Sequence, residues 1–154
     1  MIPRPLGHLA YRVAYIGLRV WSLVLRPHTR GVKCLVCTGD EILLVRHSYG
    51  RRVWDLPGGF VQRDEEFAGA ARRELDEELG LGEAGELTDL GEIRRDQMGR
   101  HETIRAFRVV LAARAGEIQG FELCRIGWFT RDELPARTAE LVEDILDRDA
   151  RFVA

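Results

Sequence analysis

The stretch that decides the fold runs from Gly59 to Leu81 and reads GFVQRDEEFAGAARRELDEELGL. Its glutamates at helical offsets of zero, three and four are Glu74, Glu77 and Glu78. At about 100° per residue, these side chains fall on one side of a single helix. Carboxylates at roughly 6 Å repel one another by about 2–3 kcal/mol per pair at an effective dielectric of about 20. A cation relieves that repulsion, and carboxylate oxygens are ligands that Mg²⁺ and Mn²⁺ prefer, so the segment predicts a metal-binding helix.

The apolar residues of the same helix indicate which side is buried. They recur at helical spacing as Phe67, Ala71, Leu75 and Leu79. Solvated charges usually lie opposite such a stripe, whereas Glu74 and Glu78 fall beside it. The carboxylates are therefore expected at the rim of a cleft, where the small Ala70 leaves room for a ligand.

Residues at the ends of this helix have structural roles. Asp64 is the predicted N-cap, and Gly80 is placed to end the helix in a left-handed conformation. Arg73 is expected to hold a neighbouring glutamate through a bidentate pair, with Glu65 or Glu77 as the partner. Arg73 therefore joins the glutamates in the predicted catalytic set.

The segment also resembles the Nudix box, G-x5-E-x7-R-E-U-x-E-E-x-G-U, in which U is aliphatic. The matching residues are Gly59, Glu65, Arg73, Glu74, Leu75, Glu77, Glu78, Gly80 and Leu81. Looser similarity runs from Thr29 to Pro135, through WDLPGG before the box and GWFTRDELP after it. The alternative reading of the residues alone is a solvated helix rich in Glu and Arg, with pairs such as Arg73 and Glu77.

The resemblance implies hydrolysis of a nucleoside diphosphate linked to another group X, with Mg²⁺ or Mn²⁺ as cofactor. Phosphoryl transfer depends mostly on positioning and on charge stabilisation, which such ions supply. Position by position, Glu74, Glu77 and Glu78 match the glutamates that hold metal, and the backbone carbonyl of Gly58 is expected to add a ligand. Gly58 and Gly59 form a turn where no Cβ hinders close approach of the backbone to a ligand.

The general base is left open among several acids. Relatives of this kind use either a box glutamate or a glutamate outside the box. Here Glu117 and Glu122, which precede the GWFTRDELP segment, are the outside candidates, with Glu102 behind them. Each could instead be an ordinary surface acid.

Basic and aromatic residues near the box are candidate substrate contacts. Arg46 and Arg51 could meet phosphate oxygens through bidentate bonds, although solubility at the surface is the other reading. His47 and His101 are weaker candidates, because a lone histidine usually satisfies a local hydrogen bond. Trp54 could stack on a base, but a core role is preferred.

Group X is not fixed by the sequence. The segment GEAGELTDL after the box carries no proline or tyrosine signature of the kind that relatives specialised for dinucleotide cofactors, coenzyme A or ADP-ribose carry. The resemblance then leaves an (oxidised) nucleoside triphosphate, a nucleotide sugar or a capped RNA end, in that order of preference. Two rival functions remain. One is a non-catalytic Nudix-fold module that senses a nucleotide, although such modules usually lose box carboxylates. The other is a membrane-surface protein that depends on its N-terminal segment.

Composition predicts one soluble cytoplasmic domain. The chain has 154 residues, 45% of them hydrophobic, and a net charge of −2, which gives no support for strong nucleic-acid binding. Its cysteines are odd in number and no secretory signal is evident, so a reduced compartment is expected. Cys34 and Cys37 are predicted in a strand, where their offset of three sends them to opposite faces as structural residues.

The N-terminal segment is predicted to be an amphipathic helical arm at residues 1–26, followed by a Nudix domain at 27–154. Residues 8–26 are apolar apart from arginines at seven-residue spacing, and the stretch is too interrupted to span a bilayer comfortably. It could pack on its own domain or on a twin subunit, lie in a membrane interface, or form a frayed arm.

The remaining elements predict an α/β/α sandwich with a mixed sheet between helices. Strands are expected at residues 31–38, 41–45, 86–96, 102–113 and 124–129, with a hairpin at Gly39 and Asp40, a capped turn at 130–135 and a helix at 136–150.

Overall fold

The computed structural model describes residues 28–48, 52–97 and 100–152. The predicted arm at residues 1–26 and the predicted phosphate contact Arg51 lie outside these ranges. The described elements are β1 (His28–Thr38), β2 (Glu41–His47), β3 (Trp54–Asp55), α1 (Phe67–Leu79), β4 (Leu87–Gln97), β5 (Arg100–Val110), β6 (Leu123–Thr130), a 3-10 turn (Arg131–Glu133) and α2 (Glu140–Leu146). Among these elements, no helix combines the length and the apolar character needed to cross a bilayer.

The strands form one mixed sheet, as predicted. β1 runs parallel to β5 from His28 to Cys37, β4 lies antiparallel to β5, and β2 lies antiparallel to β6. The predicted hairpin joins β1 to β2, and Gly39 adopts a positive φ of 58° there. Only Cys37 and Thr38 of β1 pair with β2, so the earlier part of that edge of β1 is open to another segment.

Alternation along β1 sends its side chains to two separate cores. Val32, Cys34 and Val36 pack beneath α1, whereas Leu35 and Cys37 pack beneath α2. One helix therefore covers each face of the sheet, which confirms the predicted α/β/α sandwich. The two cysteines are buried free thiols on opposite faces, as their spacing predicted.

The last helix is shorter than the predicted span of 136–150. Its N-cap, Ala139, is extended, and its N–H donates to the carbonyl of Trp54 at 2.8 Å. The N–H of Trp54 in turn donates to the carbonyl of Arg137 at 2.8 Å. Residues 137–139 thus pair beside β3, and this pairing keeps them out of the helix.

The other end of α2 is set by Asp149. Its buried carboxylate accepts a hydrogen bond from Arg108 Nη1 of β5 at 2.6 Å. The N–H groups of Arg148 and Asp149 bond only three residues back, to the carbonyls of Ile145 and Leu146. The chain therefore leaves α-helical geometry after residue 146 and brings this acid to the sheet.

The predicted N-cap Asp64 is wrong. Asp64 lies in a left-handed turn at φ 61°, and the helix begins at Phe67 with Glu66 at the cap position and no side-chain cap bond. The neighbouring Glu65 side chain accepts a hydrogen bond from the N–H of Gln62 at 2.8 Å. This bond stabilises a turn at residues 62–65, and the helix begins after it.

The other boundaries lie close to their predicted positions. Gly80 ends α1 at φ 67° and ψ 29°, the predicted left-handed conformation. β5 ends at Val110 rather than at residue 113, and the turn predicted at 130–135 contains the 3-10 turn.

Candidate active site

The loop before α1, residues 57–61, is called the glycine loop, and it takes the place that β2 leaves open beside β1. Residues 57–61 run along β1 and include an antiparallel bridge between Phe60 and Gly31. Three backbone hydrogen bonds of 2.9 Å hold the loop there: Val32 N–H to the Gly59 carbonyl, Cys34 N–H to the Pro57 carbonyl, and Val61 N–H to the Arg30 carbonyl. The loop is thus an added edge segment of the sheet, directly under α1.

Two glycines make this close approach to β1 and α1 possible. A Cβ at Gly58 would lie 2.2 Å from the carbonyl oxygen of Val32, and the backbone has a φ of 136° there. A Cβ at Gly59 would lie 2.6 Å from the carboxylate of Glu74. Any side chain at either position would push the loop off β1 or off α1.

Among the described residues, every carbonyl from Leu56 to Phe60 except that of Gly58 accepts a hydrogen bond. The carbonyl of Leu56 accepts a hydrogen bond from Lys33 Nζ at 2.9 Å, and those of Pro57 and Gly59 accept from β1. Among the described residues, no donor bonds the carbonyl of Gly58, while its N–H donates to Glu78 Oε2 at 2.9 Å. The Gly58 oxygen is therefore available for a ligand.

Arg73 is the hub of the acidic cluster. It donates to both oxygens of Glu65 at 2.9 and 3.0 Å, to Glu74 Oε1 at 2.8 Å and to Glu77 Oε2 at 3.2 Å. It also donates to the carbonyl of Phe60 at 2.9 Å, which joins α1 to the loop. Both partners expected for Arg73 are confirmed, and Glu74 is a third.

Glu78 is the most deeply buried acid of the cluster, with 3% of its surface exposed. Within the described ranges, its Oε1 atom has no hydrogen-bond partner. Burial raises the pKa of Glu78 to about 8, and burial also raises the pKa of Glu74 although Arg73 opposes the rise. A buried carboxylate oxygen without a donor is an unfavourable group unless the acid is protonated or a cation meets it.

The donor set fits a hard divalent cation, which prefers carboxylate and carbonyl oxygens. The side chains do not yet converge on one point: in the part of the chain that the structure describes, no three His, Cys, Asp or Glu groups surround a position for an ion. The reason is that Glu74 and Glu77 are both bonded to Arg73. Arg73 bonds only Oε1 of Glu74 and Oε2 of Glu77, so coordination by all three glutamates would require these two side chains to bring their other oxygens toward a common point.

Glu122 is the outside glutamate that the structure brings into this cluster. Its negative charge contributes to the raised pKa of both Glu74 and Glu78. The Ser48 N–H donates to the carbonyl of Glu122 at 2.8 Å, which ties it to the end of β2.

The other outside acids have different surroundings. Glu117 is exposed, and its N–H donates to the carbonyl of Leu79 at 3.1 Å at the end of α1. Glu102 shares its strand face with Ile104 and Ala106, which pack on the core beneath α2. It therefore lies on the opposite face of the sheet from the acidic cluster.

The predicted substrate contacts before the box are only partly described. Arg46 Nε donates to the carbonyl of Arg52 at 2.9 Å, so one donor of Arg46 serves the local loop. Trp54 packs edge-on against Phe129 at 5.2 Å beside the core under α2, which confirms its core role. Burial, with Lys33 as a second cause, lowers the pKa of His47 to about 4.

A separate cleft of about 240 Å³ lies where β1, β4 and β5 begin or end. Its lining consists of His28, Arg94, Arg95, Asp96, His101, Glu102 and Thr103. Two of its basic groups already have acidic partners: His101 Nδ1 lies 2.5 Å from Asp96, and Arg94 Nε donates to Glu92 at 2.8 Å. The cleft is therefore polar without a large excess of positive charge.

Lys33 is the site residue that the sequence reading missed. Its Nζ bonds Asp55 Oδ2 at 2.8 Å as well as Leu56, and its positive charge acts on Glu78. Although burial alone would lower it, the pKa of Lys33 is raised by Asp55. The sequence held one indication that this residue is unusual, because Lys33 is the only lysine among 23 lysine and arginine residues.

A family model described as NUDIX domain matches residues 27–149. The chain therefore belongs to the NUDIX domain family. The sandwich, the glycine loop on β1 and the acid-bearing helix all lie within the matched residues.

Individual relatives match this domain over different extents. Diphosphoinositol polyphosphate phosphohydrolase 3-beta of Bos taurus is 43% identical over 65 residues, which cover 42% of this chain and 38% of that protein. The MutT NUDIX hydrolase of Burkholderia pseudomallei superposes with a TM-score of 0.71 at 22% identity, over 79% of this chain and 98% of the other. The NUDIX domain of Shewanella oneidensis NrtR, solved with ADP ribose, has a TM-score of 0.66 at 19% identity, over 81% and 90%. The two structures show a shared fold.

Proposed function

We propose that this chain is a metal-dependent pyrophosphohydrolase, which cleaves the diphosphate linkage of a nucleoside diphosphate bonded to another group X. The observation that carries the proposal is the juxtaposition of two unengaged oxygens. Among the described residues, Glu78 Oε1 is buried without a partner and the Gly58 carbonyl accepts no hydrogen bond, while the N–H of Gly58 joins the two residues by donating to Glu78 Oε2. Two such oxygens favour a hard cation over any neutral ligand.

The residues divide into ligands and supports. Glu74, Glu77 and Glu78 with the Gly58 carbonyl would hold Mg²⁺ or Mn²⁺, whose charge offsets the phosphate and acidifies a water molecule. Arg73 supports these ligands through its bonds to three glutamates and to the loop carbonyl of Phe60. Its position fixes the helix relative to the loop.

The proton acceptor best supported is Glu122. It is half-buried, its charge acts on Glu74 and Glu78, and it forms no ion pair with an arginine among the described residues. A general base must reach the attacking water in the reacting geometry, and the proximity of Glu122 to the cluster supports that role. Glu117 remains the alternative, from its place at the end of α1.

For group X we favour an (oxidised) nucleoside triphosphate or a nucleotide sugar. The segment after the box, GEAGELTDL, carries no proline or tyrosine signature that would point to another substrate class. A diphosphoinositol polyphosphate is the second candidate, because the relative that shares 43% identity over 65 residues is named for that substrate. A capped RNA end is the weakest, given a net charge of −2.

The test is a substrate panel with Mg²⁺ or Mn²⁺, comparing the candidate compounds and identifying the products by ³¹P NMR. Reaction in ¹⁸O-labelled water shows which phosphorus is attacked. Glu78→Gln, purified in the same way, is the control for contaminating enzymes, and the exposed Glu83→Gln is the control for loss of a carboxylate. Binding of nucleotides without turnover of any of them would support a sensing module instead.

We also propose a cytoplasmic setting and a nucleotide-type small molecule as the partner. Cys34, Cys37 and Cys124 are free thiols, and the first two are buried, which supports a reducing compartment. Residues 8–26 could contact a membrane or a twin subunit, and two measurements separate these roles. Co-sedimentation with lipid vesicles, comparing the full chain with a chain that starts at Pro27, tests membrane contact. Light scattering of the same two proteins tests packing on a twin subunit.

A further inference from the structure

Lys33 is an exception in the composition of the chain. It is the one lysine among 23 basic residues, the others being arginines. The two residue types differ physically, because arginine presents a planar fork of donors and lysine a compact charge on one nitrogen. Because every other basic residue of this count is arginine, the lysine at position 33 indicates that a single small donor group is needed there.

The contacts of Lys33 show why a single nitrogen fits. Nζ donates to Asp55 Oδ2 at 2.8 Å and to the carbonyl of Leu56 at 2.9 Å, so two acceptors converge on one atom. The other oxygen of Asp55 accepts the N–H of Leu56 at 2.8 Å. Lys33 and Asp55 thus fix both polar groups of the Leu56 backbone. The lysine side chain is only 14% exposed, which shields these bonds from water.

Leu56 is the residue at which the chain enters the glycine loop. Its carbonyl is held by Lys33, and the carbonyls of Pro57 and Gly59 are held by β1. In the run 56–59, the carbonyls of all residues except Gly58 are therefore held by hydrogen bonds. The direction of the Gly58 carbonyl is determined by these fixed neighbours. Lys33 provides the one side-chain bond in that set, since the other two come from the β1 backbone.

We propose that Lys33 is a positioning residue that fixes the Leu56 backbone and thereby directs the Gly58 carbonyl toward the ion held by the glutamates. The inference rests on the proposed function, because it concerns the same metal ligands. It assigns Lys33 no contact with substrate. Groups that orient a metal ligand without touching the metal typically change affinity or activity 10–100-fold when they are removed, roughly.

The direct test is Mn²⁺ binding by the full chain without substrate, measured by titration calorimetry and by the electron paramagnetic resonance of free Mn²⁺. Lys33→Met keeps the side-chain length and removes the donor, and it should weaken binding by roughly 10–100-fold. Val142→Ala, in the core beneath α2, is the control for lost stability and should bind Mn²⁺ as the unchanged protein does. Equal affinity of Lys33→Met and the unchanged protein overturns the inference.

Two further variants separate placement from charge. Lys33→Arg keeps the charge but cannot bring one nitrogen to both acceptors, so it should restore less than the full affinity. Full affinity in Lys33→Arg would mean that charge alone matters, and the inference would be wrong. Asp55→Asn leaves the Lys33 bond to Leu56 in place, so it should weaken Mn²⁺ binding less than Lys33→Met does. A greater loss of Mn²⁺ affinity in Asp55→Asn than in Lys33→Met contradicts the role assigned to Lys33.

A measurement on the unchanged protein keeps the inference testable if Lys33→Met fails to fold. Labelling with ¹⁵N-lysine gives one side-chain Nζ signal, because the chain has one lysine. That signal should show protons protected from exchange by the two hydrogen bonds, and Mn²⁺ should broaden it. Rapid exchange of these protons contradicts the inference alone. Failure of the unchanged protein to bind Mn²⁺ at all contradicts the proposed function instead.

Discussion

At the scale of single residues, the acidic cluster is organised by burial rather than by repulsion alone. Glu78 is closed off from water and accepts one backbone hydrogen bond, whereas Glu77 is exposed and bonded to Arg73. The three box glutamates are therefore not equivalent, although the spacing in the sequence makes them look alike. Replacement of each should have a different effect.

We expect Glu78→Gln to reduce turnover by more than about 100-fold with Mg²⁺, because it removes a charged ligand rather than a group that only orients one. Initial rates at saturating substrate, with circular dichroism as the check on folding, measure the effect. Glu83→Gln should change the rate by less than twofold, roughly, as a substitution on the exposed surface. A Glu78→Gln protein that keeps a near-normal rate would remove this residue from the set of ligands.

The pH dependence of stability should also trace to Glu78. Its folded-state pKa of about 8 lies above the usual value of about 4.3, so between these pH values the folded protein holds a proton that the unfolded chain has released. Stability of the metal-free protein should therefore fall as the pH rises from about 4.3 to about 8. Urea unfolding at pH 5 and pH 8 in EDTA measures this fall, and Glu78→Gln should reduce it. Added Mn²⁺ should oppose the fall, because the ion favours the ionised carboxylate.

At the scale of elements, the site is formed where the glycine loop replaces β2 beside β1. The loop shares an edge with β1 through three hydrogen bonds and contacts α1 through Gly58, Gly59 and Arg73. Loop and helix are therefore positioned by the sheet and by each other. Residues that are adjacent in the box sequence become the two walls of the site.

Gly58→Ala should disrupt this arrangement. A Cβ there would lie 2.2 Å from the carbonyl of Val32, and φ is positive, so the loop must move. We expect a loss of more than about 2 kcal/mol of unfolding free energy together with weaker Mn²⁺ binding. The matched control is Gly69→Ala on the exposed side of α1, where the nearest atom is 3.9 Å away. That change should stabilise the protein by about 0.5–1 kcal/mol in urea unfolding. Equal behaviour of both variants would contradict the close packing of the loop.

At the scale of the whole molecule, one sheet separates two cores with different tasks. The core under α1 supports the helix that carries the acids, and the core under α2 closes the other face. Leu75 and Leu146 are fully buried members of these two cores. The division predicts that loss of packing has different consequences on the two faces.

Leu75→Ala and Leu146→Ala should each lower the unfolding free energy by about 2–5 kcal/mol. Only Leu75→Ala should also reduce the turnover of the molecules that remain folded, because it loosens the helix between Glu74 and Glu78. Urea unfolding and turnover per folded molecule, measured below the transition, make the comparison. A loss of turnover in Leu146→Ala equal to that in Leu75→Ala would contradict the division.

The sequence predicted what depends on local spacing. The buried stripe of α1 and its left-handed end at Gly80 follow from helical periodicity and glycine geometry, and both predicted partners of Arg73 lie within the box. The early end of the last predicted helix could not be foreseen, because residues 137–139 pair with Trp54, more than 80 positions earlier. The same holds for the Lys33–Asp55 pair, which joins residues 22 positions apart through the sheet.

The guanidinium of Arg73 has one more consequence, for the order in which the protein is assembled. It already supplies an internal counterion to Glu65, Glu74 and Glu77. Because their mutual repulsion is offset from within, the helix tolerates its acids before any metal arrives. Under the proposed function, folding would therefore precede metal loading, and the ion could be exchanged without dismantling the domain.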